Sequence, residues 1–304
     1  MIIIRMTGGL GNQMFQYALY LKLSSMGKEV KFDDINEYLH ANARPIMLWA
    51  FGIDYPKATK EEVNQITDGF MNLSHRIRRK LFGRKSLEYS EKDCNFDELV
   101  LQKEPAYLTG YFQSEQYFAD IEKEVRSAFT FSPVIFESIS TDLRKQILDY
   151  EAQIATVHAV SLHIRRGDYL DSSEIYGGNC TQEYYEKAIS LIKQKASDVV
   201  FFVFSNDEDW AVNWCKEQAK KTGSSFVPIR NTPEEKGYLD LYLMSKCKEH
   251  IVANSSFSWW GAYLNPDKNK CVIAPARWFN NQDCRDIYTR GMIRITAEGN
   301  VLEP

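Results

Sequence analysis

No apolar run in this sequence approaches the roughly 20 residues that a membrane-spanning helix needs. The basic start and small-residue cleavage site of a secretory signal peptide are missing too: Met1 to Met6 is short and apolar and leads straight into a Gly-rich turn. The chain is therefore expected to stay in the compartment where it is made. Excess charge of one sign is also lacking. With 37 Lys+Arg against 41 Asp+Glu the formal charge is −4, which excludes a nucleic-acid binder working through bulk positive charge. There is no C-x-x-C. The six cysteines (Cys94, Cys180, Cys215, Cys247, Cys271, Cys284) are scattered, so they offer no zinc-ligand spacing. Scattered thiols fit a reducing compartment better than a disulfide framework.

What remains is an ordinary globular composition. The chain has 304 residues, 44% of them hydrophobic and 26% charged, enough to bury a large core. Its length suggests about two domains. Ile2 to Met6 reads as a strand, Thr7 to Gly11 as a Gly-rich turn, Asn12 to Met26 as a helix stopped by Gly27, and Glu29 to Phe32 as a second strand. The rest of the first half is irregular, punctuated by Pro45, Pro56 and Pro105. Phe131 to Ile154 reads as a helical link.

The second half is regular. Strands are expected at Val157–Ile164, Val199–Phe204, Ser225–Val227, His250–Ala253 and Cys271–Ala274. Helices are expected at Thr181–Lys195, Asp207–Lys221 and Phe257–Leu264. A further helix opens at Thr232-Pro-Glu-Glu235, with Thr232 as cap and Glu235 completing a capping box. Strands alternating with helices imply a doubly wound parallel sheet, which binds ligands at the carboxyl ends of its strands. The domains are drawn at 1–150 and 151–304.

Four loops then carry the chemistry. His163-Ile-Arg-Arg-Gly-Asp168 follows the first strand of the second half. Two arginines at a strand end suit a phosphate, which they bind bidentately; the bland alternative is an Arg166–Asp168 salt bridge. Phe204-Ser-Asn-Asp-Glu-Asp209 contains an Asp207-x-Asp209 triplet of the kind that holds a metal on a sugar diphosphate; equally, Asn206 or Asp207 caps the next helix. Asn254-Ser-Ser-Phe-Ser-Trp-Trp-Gly261 sets small hydroxyl residues at a helix start, where N–H groups meet anions. Trp259 and Trp260 either stack on a ring or fill the core. Thr7-Gly-Gly-Leu-Gly-Asn-Gln13 resembles a dinucleotide fingerprint, but Met14 stands where the third glycine belongs. Asn12 and Gln13 suit a hydroxyl-rich ligand instead.

One stretch stands apart. Arg76-Ile-Arg-Arg-Lys-Leu-Phe-Gly-Arg-Lys85 packs six basic side chains into ten residues, with Leu73, Ile77 and Leu81 at helical spacing. It reads either as a solvated helix face or as a peripheral contact with an anionic membrane.

Taken in order, the segments GGLGNQMFQYA (8–18), GYFQSEQYF (110–118), HIRRGDY (163–169), FSNDEDW (204–210) and NSSFSWWGAYLN (254–265) resemble the α-1,2-fucosyltransferases of glycosyltransferase family 11. The resemblance spans nearly the whole chain. It implies an α/β, GT-B-like fold of two Rossmann-like domains: an N-terminal one on the acceptor side and a doubly wound C-terminal one holding the donor. It implies inverting transfer of L-fucose from GDP-fucose to the 2-hydroxyl of a terminal β-galactoside, with no metal or other cofactor and no nucleic-acid partner. By that likeness Arg165 holds the β-phosphate, His163 lines the nucleoside pocket and Asp240 reads the guanine edge. Arg166, Asn206, Asp207, Asn254, Ser255, Ser256 and Phe257 complete the donor side. Gly8, Gly9, Gly11, Asn12 and Gln13 form the acceptor side. Arg165 and Asp168 are the catalytic candidates, with Glu174, Asp33 and Asp34 as other carboxylates for the acceptor proton. The family's second loop commonly reads Ser-Asp-Asp, and here Asn206 replaces the first acid. Without an anchor before the first strand, the chain is similar to bacterial cytoplasmic members that build surface polysaccharide at the inner membrane face. Two other readings stay open: a metal-dependent sugar transferase built on Asp207 and Asp209, and a non-catalytic glycan-binding protein.

Overall fold

Ile2, Ile3 and Ile4 are β-branched and completely buried, and they form the core of β1 (Ile2–Arg5). The computed structural model describes residues 1–35, 43–166, 173–196 and 198–302. It divides the chain into two compact units, Met1–Thr130 and Phe131–Pro304.

In the N-terminal unit β1 leads through the Gly-rich turn into the helix Leu10–Ser25. This helix closes on Gly27, at φ 79°, with Gly27 N–H donating to Ser24 and Lys28 N–H to Leu23, a Schellman arrangement that only a residue tolerant of positive φ closes cheaply. Next come β2 (Val30–Asp33), β3 (Glu88–Ser90) and β4 (Ala106–Thr109), and the sheet order is β2-β1-β4-β3, all parallel.

The C-terminal unit holds β5 (His158–Ile164), β6 (Val199–Ser205), β7 (Ser225–Pro228), β8 (Glu249–Ile251), β9 (Val272–Pro275) and β10 (Ile293–Ile295). Their order is β10-β9-β8-β5-β6-β7, and every pairing is parallel. Helices Gln182–Lys195 and Glu208–Thr222 supply Tyr184, Ile189 and Trp214 to a core with Val160, Phe201, Val203, Ile251 and Ile273. From β5 the chain winds one way through β6 and β7, then returns to β8 on the other flank and continues outward. The switch point therefore lies between β5 and β8, where a crevice opens at the strand ends.

Three expectations are corrected. The division falls at 130/131, not 150/151. The Phe131–Ile154 link is two helices, Val134–Glu137 and Thr141–Thr156, and both belong to the C-terminal unit. Tyr242 explains why: Phe131 and Phe136 meet its ring edge-on at 5.3 and 5.5 Å, and its hydroxyl donates to Glu151 at 2.5 Å. Second, the capping box at Thr232 does not form. Residues Glu234–Lys236 make a 3₁₀ turn with no side-chain cap before the helix Gly237–Lys246. Third, the six cysteines read as thiols do not all stay thiols: Cys94 and Cys284 are disulfide-bonded, while Cys180, Cys215, Cys247 and Cys271 are free. Among the described residues no helix is long and apolar enough to cross a membrane.

Candidate functional site

The β5–β6 register sets His163 beside Phe204 and Ile164 beside Ser205. Residues 165–166 and 206–207 therefore leave the sheet side by side. The Arg166 N–H donates to Asn206 Oδ1 at 2.9 Å. The Arg166 guanidinium is held by Asp207 Oδ2 at 3.3 Å and lies over the Trp210 ring at 4.2 Å. Asp207 also caps its helix, accepting the Trp210 N–H at 3.2 Å. Asp207 thus meets Arg166 across the strands, and the pairing expected between Arg166 and Asp168 falls on a residue outside the described ones. Asp168, one of the two catalytic candidates, lies outside the described residues.

Arg165 is placed differently. Its side chain is 13% exposed, and it meets Glu234 Oε1 at a long 3.4 Å; Glu234 is itself 56% exposed. His163 is buried, with its backbone carbonyl accepting the Tyr185 hydroxyl at 2.9 Å and its ring 5.9 Å from that of Phe257. Phe257 also faces the preceding helix, Gly237–Lys246: a Cβ on Gly237 would stand 3.6 Å from its ring. Asp240, one turn after Gly237, shares that helix face. Its Oδ1 atom is buried and accepts no hydrogen bond. Burial pushes this carboxyl up to about 7, against a hydrogen bond from Thr232 and with the Glu208 charge adding to the rise. An acceptor buried without a donor costs free energy in the empty protein and fits a ligand that brings its own N–H groups.

The loop after β8 supplies the third wall. Ser255 is the N-cap of the helix Ser256–Leu264, and its side chain makes no capping bond. The first-turn N–H groups of any helix lack intrahelical partners and favour an anion. Asn254, just before this cap, is held by its neighbours. Its Nδ2 donates to the Tyr176 and Trp278 carbonyls at 3.2 and 3.0 Å, and its Oδ1 accepts from Cys180. It ties two loops together. Trp259 and Trp260 are completely buried, and the Trp259 indole N–H donates to the Ile287 carbonyl at 2.7 Å, so both belong to the core.

The Asp207-x-Asp209 triplet is committed elsewhere. Both Asp207 oxygens are engaged, as above, and Asp209 is 96% exposed with Arg230 3.7 Å away. Among the described residues no group of three or more His, Cys, Asp or Glu is placed to hold a metal.

In the N-terminal unit, Gly8 sits at φ 77°, and a Cβ there would meet the Asn12 side chain at 2.5 Å. Gly9 is the N-cap of the helix and Gly11 is buried within it. Gln13 is completely buried. Its Nε2 donates to the Gly8 and Pro45 carbonyls at 2.9 and 3.0 Å, and its Oε1 accepts the Met47 N–H at 2.9 Å. It braces the turn through both amide hydrogens and its oxygen. Asn12 accepts from Gln113 at 2.7 Å. Two further residues, not singled out from sequence, complete this framework. Gln16 accepts the Thr7 N–H and donates to the Gly110 carbonyl. Glu91 accepts the Tyr111 and Phe112 N–H groups at 2.7 and 2.9 Å, while its burial raises it to about 7. No spacing rule links Glu91 to the Gly110 turn; only the fold does.

The family model of Glycosyl transferase family 11 matches residues 1–295. The chain belongs to glycosyl transferase family 11. It is 32% identical over 289 residues to an alpha-1,2-colitosyltransferase of Escherichia coli, covering 93% of each chain. It is 31% identical to the O-antigen biosynthesis glycosyltransferase WbnK of Escherichia coli, covering 90% of this chain and 93% of that one. A galactoside alpha-(1,2)-fucosyltransferase 1 of Rattus norvegicus is 26% identical over 84% of this chain and 61% of its own length. Among solved structures, NodZ alpha-1,6-fucosyltransferase co-crystallised with GDP aligns over 87% of this chain and 92% of that chain, at TM-score 0.46 and 14% identity, too distant to bear on the site. The family-11 chain is a fucosyltransferase-like glycosyltransferase of α/β class, with one all-parallel sheet in each unit.

Proposed function

We propose that this family-11 chain transfers L-fucose from GDP-fucose to the 2-hydroxyl of a terminal β-galactoside, with inversion and without a metal, in the assembly of a bacterial surface polysaccharide. The proposal gives the donor to the C-terminal unit and the acceptor to the N-terminal one. The observation that carries it is the chemistry around the β5/β8 switch point. Asp240 Oδ1 is a buried acceptor with no donor, Phe257 and His163 offer apolar and aromatic surface, and Arg165 is a well-buried cation whose Glu234 partner stands at 3.4 Å. A nucleoside diphosphate has complementary ends. Guanine presents adjacent N–H donors that a carboxylate accepts, and the diphosphate needs positive charge.

The chemistry follows from the leaving group. As the bond from the sugar C1 to the diphosphate oxygen breaks, negative charge builds on GDP. Arg165 and the first-turn N–H groups of the helix Ser256–Leu264 are preorganised to meet it. Arg166 holds the loop in register through Asn206, Asp207 and Trp210. The acceptor 2-hydroxyl attacks C1 from the opposite face and loses its proton; Asp168 is the carboxylate this proposal assigns to that proton.

One observation favours a second donor. The 32% identical relative is an alpha-1,2-colitosyltransferase, and colitose is L-fucose without its 3-hydroxyl. The deciding experiment offers GDP-fucose and GDP-colitose separately with a panel of β-galactosides and reads the product linkage by NMR. An α-1,2-linked fucosyl product is expected. Transfer of colitose alone would replace the donor, and transfer to another hydroxyl would replace the acceptor assignment.

A further inference from the structure

The helix Leu73–Phe82 is turned inside out. An amphipathic helix on a soluble protein ordinarily sets its apolar stripe on the core and its charges in water. Here Leu73, Ile77 and Leu81, stacked on one face by their spacing of four, are 71%, 51% and 68% exposed. None of the ten residues of the helix is buried. Met71 before it and Phe82 at its end are exposed as well.

The face that meets the protein is the basic one. Arg78 pairs with the Asp68 carboxylate, and Arg79 donates to the Asp68 carbonyl at 2.6 Å. Asp68 is 6% exposed and also accepts the Lys85 N–H at 2.9 Å. That N–H first, and then Arg78, hold its carboxyl down to about 2. Arg84 donates to the Thr67 carbonyl at 2.8 Å, and His75 lies against the Phe70 ring with centroids 4.8 Å apart. Three of the six basic side chains are thus spent on fixing the helix with its apolar stripe outward. The other three, Arg76, Lys80 and Lys85, are exposed. At 100° per residue, Arg76 and Lys80 border the Leu73–Ile77–Leu81 stripe. From Met71 to Leu87 there are six basic residues and no acidic one.

We propose that this helix docks the protein on an anionic lipid surface, with the Leu73–Ile77–Leu81 stripe in the acyl boundary and Arg76, Lys80 and Lys85 at the headgroups. Charge complementarity selects that occupant. Exposed apolar side chains bordered by cations are what a negatively charged leaflet binds. A second copy of this chain would instead bring like charge against like charge. The inference does not depend on the donor or acceptor proposed above.

The test is sedimentation of the full chain with vesicles of phosphatidylcholine alone or mixed in equal parts with phosphatidylglycerol. Binding to the mixed vesicles is expected to be at least about tenfold stronger and to weaken as salt is raised. An Ile77→Asp/Leu81→Asp variant should lose it. An Arg76→Gln/Lys80→Gln variant should lose about fivefold per charge from the anionic preference. These side chains are exposed, so circular dichroism and the thermal midpoint should match the unchanged protein. The salt dependence of the unchanged chain serves as the test should a variant unfold. The proposal is overturned if the unchanged chain stays in the supernatant with both vesicles, or if the variants bind as it does. It is overturned equally if Ile77→Asp/Leu81→Asp splits an oligomer in sedimentation velocity while vesicles are ignored.

Discussion

Replacing Asp240 by Asn separates the demands of stability from those of the ligand. The native environment raises this carboxyl from 3.8 to about 7, chiefly through burial. At 1.36 kcal/mol for each tenfold, the ionised form carries a penalty of about 4 kcal/mol in the folded state. The sign follows from linkage. The folded chain holds the proton more tightly than the unfolded one, so the associated stability is complete below about pH 4 and is lost as pH rises through about 7. Asparagine cannot ionise, and its amide leaves a polar group unmatched at a cost of roughly 1–3 kcal/mol at every pH. Without nucleotide, Asp240→Asn is therefore expected to be less stable than the unchanged protein near pH 4 and more stable near pH 8. The difference should swing by about 4 kcal/mol between those limits. Urea denaturation at a series of pH values measures it. The second half of the assay is calorimetric titration with GDP and with inosine diphosphate, which lacks the exocyclic amine. The unchanged protein should prefer GDP by roughly 1–3 kcal/mol, and the variant should lose most of that preference. A stability difference that does not change with pH would refute the burial argument. Equal preference for the two nucleotides in the unchanged protein would refute the assignment to the base.

Arg165→Ala should lower kcat roughly 10²–10³-fold at saturating donor, as loss of one preorganised charge on a leaving oxyanion does, read by steady-state kinetics. Gln13→Leu strips partners from Gly8, Pro45 and Met47; it should cost about 2–4 kcal/mol of stability, read by urea denaturation, with KM for the acceptor little changed in the folded fraction. Trp260→Ala should destabilise by about 3–5 kcal/mol, read by denaturation, as removal of a fully buried indole does, without weakening donor binding in calorimetry. Transfer activity should persist in EDTA, since Asp207 is committed to its helix cap and Arg166; abolition by EDTA with rescue by a divalent cation would restore the metal-dependent reading.

The C-terminal sheet is legible in sequence because parallel strands covered on both faces are near-continuous apolar runs, as Val199 to Phe204 is. β10 is not, because Ile293-Arg-Ile295 is short and interrupted by a charge. The unit boundary is set by Tyr242, more than a hundred residues beyond the Phe131 it anchors, and no local pattern carries that information. Thr232 looks like a cap by spacing, yet its hydroxyl bonds Asp240. Within the site, Arg165 and Asp240 follow from the family resemblance, whereas the partner of Arg166 follows from the β5–β6 register alone.

Hydrogen-bond capacity divides the family-11 motifs into framework and ligand groups. The segments 8–18 and 110–118 are linked to each other: Gln16 meets Gly110, and Asn12 meets Gln113. Gln13 and Asn254 likewise spend their amides on backbone groups. Each such residue satisfies a buried donor or acceptor that its partner presents, and that requirement holds whether or not a sugar is present. Asp240 differs in kind. Its Oδ1 is buried with nothing donating to it, a state that lowers stability and is relieved by protonation or by a donor from outside. A motif residue whose capacity is consumed inside the chain should act on folding when replaced. One whose capacity is left open should act on binding. By that criterion most of these motif residues are scaffold in this chain, and in the proposed reading the nucleotide is selected by the few groups that the scaffold leaves unsatisfied.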